Sequence, residues 1–433
     1  MNTKALFVIA LTLLGNVFAQ DTMVLKLEDM YALAEENSRL IHIENYLVES
    51  AHYDLQGAKM NRLPQLSARA SADYATNMPI YDQGIFHTPS QHEVIHFLYN
   101  TGADFYLNLY KGSLHELNIK EHAIRENLSL VQREQITASV KLDLTYAFLD
   151  LYRSYNFERV IIEDIADQQE QLKEVTDHYN SGVVLHSDVL RIELELSKRE
   201  YLLVEVQNDL KRLSQKISLI TGLPEDKILY PVLPSLTPKV DDFAHNFHIA
   251  HTAAFSLRKS SLLQSLTAIG IKKQRAAYLP QLGLEGTFTF ANPQIFLYPY
   301  NPSWYSLGIV GLKLKVPISN WYTHKPQMAK AKIEHLQEEE LHHHEADILK
   351  NQLLDANLHY TEAVIKTEIC NKNIQLAAEN LRIIKDNYFQ SSALITDLLD
   401  ANMSYLKSTF ELETAKINQL HFYYQIEYIK GSL

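Results

Sequence analysis

A single cysteine, Cys370, stands among 433 residues, so no disulfide forms within the chain and stability must come from packing or association. Glycine is scarce, 13 in all, which is low for an enzyme built on many tight loops. Basic residues are outnumbered: 40 Lys and Arg against 52 Asp and Glu, a formal charge of −12. That balance argues against nucleic acid as a partner, because neutralising phosphate requires a basic patch. Beyond the first residues no apolar run reaches the ~20 residues a transmembrane helix needs. If the chain crosses a membrane, it does so with strands. No phosphate-cradling glycine loop, zinc-protease helix motif, cysteine pair or nucleophile elbow occurs. The chain is therefore read as a non-enzyme, with no cofactor and no metal site.

What is present begins with an export signal over residues 1–19. Lys4 supplies the positive start, Ala5 to Leu14 a short apolar core, and Val17-Phe18-Ala19 a small-residue cleavage site. Its removal takes Lys4 away and leaves the mature chain at −13.

One stretch is written twice. Leu63-Pro64-Gln65-Leu66 opens a run to Tyr74, and Leu279-Pro280-Gln281-Leu282 opens another to Phe290. In both, even positions are apolar or small and odd positions are polar or glycine, the period of a strand with one apolar and one wet face. The proline before each run stops the preceding helix and suits a strand start. A second run places Ala103, Phe105, Leu107 and Leu109 on one side and Asp104, Tyr106, Asn108 and Tyr110 on the other. A fourth covers 304–316.

Between the strands lies helix. The pattern predicts helices over 27–61, from 113 to about 178, from 187 to Gly222, to about Tyr278, from about 325 to 387, and to the end. The stretch after Gly112 holds no Pro or Gly for roughly 65 residues and as a helix reaches ~100 Å. Val140, Leu144, Ala147, Leu151 and Tyr155 form its seam. Gly182 suits a helix end and Ser187 an N-cap. Leu63 matches Leu279 at an offset of 216, while Gly222 matches Gly431 at 209. The difference falls between the strands, so the first hairpin has the longer loop. The expected organisation is a first repeat at 20–223, a Pro-rich connector at 224–239 and a second repeat at 240–433, each a helix, a β-hairpin, a long helix and a return helix.

One chain thus supplies four membrane-length strands, each near the ~9–11 residues a tilted spanning strand requires. Four cannot close a barrel, and an open sheet edge in lipid is prohibitively costly. Sister chains must pool their strands.

At this point the sequence resembles the TolC family of bacterial outer-membrane efflux proteins over essentially the whole mature chain. The resemblance rests on the two Leu-Pro-Gln-Leu openings, the strand ending Lys315-Val316-Pro317-Ile318, and a duplicated turn motif. That motif reads Tyr179, Gly182 and Ser187-Asp188-Val189-Leu190 in one half, and Tyr388 with Thr396-Asp397-Leu398-Leu399-Asp400-Ala401 in the other. The resemblance implies a mainly α fold with a small β part. A homotrimer would form a twelve-strand transmembrane β-barrel in outer-membrane lipid, continued by a long-helix α-barrel into the periplasm. It implies a passive exit channel of a tripartite efflux or type I secretion system, docking on a periplasmic adaptor protein and an inner-membrane transporter. The alternative is a periplasmic coiled-coil adaptor or scaffold, which would share the long helices but have no need of the four alternating strands.

The resemblance also implies site roles. Asp397 and Asp400, three apart on one helix face, line the periplasmic aperture, and in a trimer stack two carboxylate rings where cations bind or block. As residues, they also offset the macrodipole at a helix N-terminus. Asp188 and Tyr388 match positions that help lock the closed aperture. The family's gating arginine aligns with Ala393, so the usual Arg–Asp lock is absent. Arg69, Asp73, Asp104, Glu285, Lys313 and Lys315 are expected to face the lumen, their mixed sign giving a wet pore without strong charge selection. Tyr81, Phe86, Phe97, Tyr99, Phe296, Tyr298, Tyr300, Trp304 and Tyr305 suit an interfacial belt or ordinary loop packing. His342-His343-His344 cannot converge on one ion, because adjacent helix residues point about 100° apart. Either His335 with Glu339 or Glu338 with His342 makes at most a two-ligand pair, and the tract is read as a solvated helix face.

Overall fold

The computed structural model describes residues 22–225, 227–233, 240–294, 301–390 and 392–433. In chain order the elements are β1 (Thr22–Leu25), α1 (Leu27–Asn37), α2 (Arg39–Met60), β2 (Gln65–Tyr74), β3 (Met78–Ile80), β4 (Ser90–His92) and β5 (Phe97–Lys111). Then come α3 (Leu114–Asn180), α4 (His186–Thr221), β6 (Ile228–Pro231), α5 (Phe243–Ala253) and α6 (Phe255–Ala276). The chain finishes with β7 (Gln281–Asn292), β8 (Tyr305–Lys315), α7 (Asn320–Thr323), α8 (Lys325–Phe389) and α9 (Ile395–Lys430). The expected export signal, Phe296, Tyr298, Tyr300 and, of the Pro-rich connector, residues 226 and 234–239 lie outside the described residues.

Packing divides the chain into two units, each gathered from separated stretches. The first comprises residues to Leu47, Leu130–Lys259 and His343–Leu433; the second comprises Val48–Ser129 and Ser260–His342.

In the first unit the predicted seam of α3 is the core. Val140, Leu144, Ala147 and Leu151 are buried, with Phe148 beside them, against Met30 and Ala34 of α1, Ile217 of α4 and Ile417 of α9. Burying each large side chain stabilises by about 1.5–3 kcal/mol, and truncating Phe148 to Ala would cost about 3–5 kcal/mol. A second cluster packs Ala250 and Leu257 on Leu349, Leu353 and Ile426. Thus α1 lies on α4 and α5 lies on α9.

Two features here differ from the sequence reading. The helix expected over 27–61 breaks at Ser38 (φ −68°, ψ 121°), and its counterpart breaks at Ala254 (φ −58°, ψ 132°). Neither break has a proline or glycine. Each sits where the left-handed glycine ending a long return helix packs: Gly222 (φ 73°) meets Asn37, and Gly431 (φ 77°) meets the backbone of Ala253. Helix propensity alone marks neither place as a break, and both coincide with a tertiary contact. The second difference is β1, which pairs parallel with β6, so the connector contributes a strand.

At the turn after α3, Gly182 (φ 74°) ends the helix as expected. The Val183 N–H bonds to the His178 carbonyl and the Gly182 N–H to the Tyr179 carbonyl, both at 2.9 Å, a Schellman pair. Ser187 is not the N-cap. Leu185 holds that place without a side-chain bond, and Ser187 lies inside the first turn.

The second unit carries one four-stranded antiparallel sheet, ordered β2-β5-β7-β8. The loop after β2, expected to be the longer of the two hairpin loops, contains the small hairpin β3–β4. Helix segments of this unit are joined by an ion pair, Lys273 to Glu121 at 2.5 Å, and by a hydrogen bond between His52 and Glu126 at 2.6 Å.

Candidate functional sites: the two sheet faces and the turn end of the helices

Residues directly opposite in an antiparallel ladder share a face, so the register sorts every strand side chain. Ser67, Asp104 and Thr287 stand in one row, and Tyr106 and Glu285 in another. Extending the rows places Arg69, Asp73, Asp104, Glu285, Lys313 and Lys315 on a single face. All six residues expected on the wet side are thus brought together. Four of the six are matched in pairs. The Arg69 guanidinium donates to Asp104 and reaches across β5 to Thr287 Oγ1 (3.2 Å) and Thr289 Oγ1 (3.1 Å). It crosses over Gly102, directly opposite it, where any Cβ would press on the Phe288 carbonyl. Lys313 Nζ donates to Glu285 at 3.0 Å. The Tyr106 ring lies over Gly283, filling the space a side chain would take.

The opposite face is apolar and bare. Leu66, Val310, Leu312 and Leu314 are 79%, 75%, 69% and 66% exposed. Aromatic rings gather on this face at its loop end. Trp304 stacks on Phe290 at 4.9 Å and on Tyr99 at 6.0 Å, while Tyr74 packs edge-on to Phe97. Of the loop aromatics expected there, Tyr99, Phe97 and Trp304 join this group. Tyr81 and Phe86 are exposed, Tyr305 falls on the polar face in the Ala291 row, and Phe296, Tyr298 and Tyr300 lie outside the described residues.

The strand alternation breaks once. Asn108 opposes Gly283 but Tyr110 opposes Leu282, leaving Leu109 as a bulge. Tyr110, expected on the polar side, is therefore turned to the apolar one. A bulge inserts one extra residue and re-aims those after it, and no single-strand pattern reveals it. Tyr110, Trp321 and Tyr322 are all exposed at or just past this end of the strands. Sequence reasoning missed them; the signal available was an aromatic pair directly after the strand ending Val316-Pro317-Ile318.

At the turn end of the helices, Val175, Val189, Ile192, Tyr388, Ile395 and Leu398 form a closed apolar cluster. Tyr388 is buried and its hydroxyl has no partner among the described residues. Burial first, and the charge of Asp188 second, hold its pKa above the usual tyrosine value. The structure thus sets Tyr388 beside Asp188, which sits half-buried in the first turn of α4. Asp397 and Asp400 are exposed on α9. The Asp397 carboxylate accepts the Leu394 backbone N–H at 3.2 Å, closing off an orphan donor of the helix start. Ala393 packs against the cluster and carries no charge.

Among the described residues no group of three His, Cys, Asp or Glu is arranged to hold a metal ion. His342 Nδ1 pairs with Ser260 Oγ at 2.7 Å, and His335 Nε2 lies 3.6 Å from Glu339. Cys370 is buried with Leu412 and Ala415. No helix among the described residues is long and apolar enough to cross a membrane.

One chain carries both a sheet with one charged face, one bare apolar face and two edge strands, and two helices of 67 and 65 residues, the element pattern of the TolC-type fold. Comparison with solved structures shows the same fold directly. CusC superposes with a TM-score of 0.80 at 12% identity, covering 94% of this chain and 92% of that one. OprN, an outer-membrane channel, gives 0.78 at 14% identity over 94% and 90%. The CmeC outer-membrane channel of Campylobacter jejuni gives 0.77 at 14% identity over 94% and 85%. No protein-family model matches the sequence, and no curated protein does. At these identities the likeness is one of fold, and the resemblance seen in the sequence motifs holds at that level.

Proposed function

We propose that this protein is the outer-membrane exit channel of an export system. It works as a passive homotrimeric conduit that docks on a periplasmic adaptor and an inner-membrane transporter. The observation that carries the reading is the sheet. Its edge strands β2 and β8 each have one neighbour, and unpaired backbone in hydrocarbon costs several kcal/mol per group. Three copies joined edge to edge give twelve strands and no edge. The bare apolar face would then meet lipid, with Trp304, Tyr99 and Phe290 at one interface and Tyr110, Trp321 and Tyr322 at the other. The face bearing Arg69, Asp73, Asp104, Glu285, Lys313 and Lys315 would line the lumen.

In this reading residues 20–223 and 240–433 are duplicated repeats joined by the connector at 224–239, and 1–19 are removed on export. Asp397 and Asp400 form the periplasmic aperture, with Asp188 and Tyr388 holding it closed without the family's arginine. Energy comes from the partner pump. Two measurements test this. Detergent extracts of outer membranes should yield a heat-modifiable trimer; a stable, detergent-free monomer refutes the assignment. In planar bilayers Asp397→Asn with Asp400→Asn should leave assembly intact and abolish divalent-cation block of conductance. Unchanged block would remove these carboxylates from the aperture.

A further inference from the structure

Seven charged side chains occupy the polar face of the sheet: Arg69, Lys111, Lys313 and Lys315 against Asp73, Asp104 and Glu285. Two opposite pairs are consumed within the subunit, Arg69 with Asp104 and Lys313 with Glu285. What remains is segregated. Lys111 and Lys315 flank Gln281 in one row, at the end where β5 leads into α3 and β8 leads to α7. No ion pair engages either lysine among the described residues. Asp73 lies at the other end, opposite Leu98. From Leu98 to Lys111 is about 40 Å along β5 at ~3.4 Å per residue.

The bulge at Leu109 contributes to this arrangement. With strict alternation Lys111 would share a face with Phe105 and Leu107; with one extra residue it opposes Gln281 on the polar side. The two ammonium groups of the row belong to strands two spacings apart, about 10 Å at ~4.8 Å per spacing. Taking the channel reading above as its basis, we infer that the Lys111–Gln281–Lys315 row is an anion-attracting band. It is a selectivity element that draws small anions and anionic solutes to the inner end of the strand barrel. Threefold repetition makes it a ring of six cations, while the neighbouring charges cancel in pairs. A ring of one sign within low-dielectric walls raises the local concentration of the opposite ion, provided the Debye length is comparable with the lumen. That length is about 30 Å at ~0.01 M and about 3 Å at ~1 M.

The test is ion selectivity in planar bilayers under a KCl gradient. All proteins carry Asp397→Asn and Asp400→Asn, so that the aperture carboxylates do not mask the ring. At ~0.01 M salt the chloride-to-potassium permeability ratio should fall about two-fold in Lys111→Gln with Lys315→Gln. Each single variant should give a smaller fall in the same direction, and Lys111→Glu with Lys315→Glu a larger one. At ~1 M salt the difference should vanish. An unchanged ratio at low salt overturns the inference, as does a change that persists at high salt, which would report altered pore geometry. A parent protein that forms no pore overturns the channel reading and this inference together. A conducting pore with an unchanged ratio overturns this inference alone.

Discussion

Three glycines share one backbone conformation in three different surroundings, and replacing each by alanine separates strain from packing. Gly182, Gly222 and Gly431 have φ of 74°, 73° and 77°. In that region an L side chain costs roughly 1–2 kcal/mol. At Gly182 an added Cβ meets nothing within 4 Å, so Gly182→Ala should cost that amount and no more. At Gly222 the Cβ would stand 2.9 Å from both Cβ and Cγ of Asn37, adding about 1 kcal/mol or more of overpacking. At Gly431 the obstacle is backbone, with the Ala253 carbonyl oxygen at 2.5 Å and its carbon at 3.0 Å. No rotamer relieves that contact, so the whole α5–α6 break must shift, and the total should exceed about 3 kcal/mol. Thermal and urea denaturation of the detergent-purified protein should rank the losses Gly182→Ala, then Gly222→Ala, then Gly431→Ala. Asn37→Gly should recover the packing part of the Gly222 loss in a double-mutant cycle and leave the Gly431 loss unchanged. Equal losses at all three sites, or the largest at Gly182, would refute the idea that the helix breaks are held by the glycines packed on them.

Two further outcomes follow from buried charge in the first unit. Arg199 is 3% exposed and donates to Asp164 at 3.1 Å and Glu195 at 2.8 Å. Burial raises the Asp164 carboxyl above its usual range despite the arginine, whereas at Glu195 the effect of burial is outweighed by Lys198 and Arg199. Arg199→Met should destabilise by about 3–5 kcal/mol, with Asp164→Asn restoring part of it; a loss below about 1 kcal/mol on denaturation would count against the pair. His421 is held below the usual histidine value of 6.5 chiefly by burial, with Asp150 opposing and Arg153 reinforcing the shift. The unfolded chain therefore binds this proton more readily, and the stability associated with neutral His421 is present above about pH 6.5 and lost as pH falls through the folded pKa. Wild type should lose more melting temperature between about pH 7.5 and 5.5 than His421→Gln; identical slopes would exclude His421 as the titrating group.

The strands were readable because each has a two-residue period and two of them, β2 and β7, open on a proline, and the long helices because nothing interrupts them. The polar face was equally readable, since Arg69 and Asp73 in one strand and Glu285 in another hold odd positions of the two-residue period. The failures share a physical cause. Ser38 and Ala254 are ordinary residues, and each break lies where a glycine at the far end of another helix packs. The bulge at Leu109 exists only relative to β7, and the β1–β6 pair joins residues two hundred positions apart. Such features live in the partner, and a local pattern cannot contain them. At the turn end, the sequence flagged Asp397 and Asp400 by spacing, but the burial of the Tyr388 hydroxyl beside Asp188 joins residues from two separate stretches.

The central ladder of the sheet joins β5 to β7, and so welds strands that leave the ribosome far apart in time. Between Lys111 and Gln281 the wait is roughly 10–30 s at synthesis rates of ~5–20 residues per second. Throughout that interval the β2 and β5 segments carry a greasy side and unpaired backbone with no companion to cover either. A nascent chain of this design therefore needs an escort, and an arrest placed before β7 should leave a product that clumps instead of one that folds halfway.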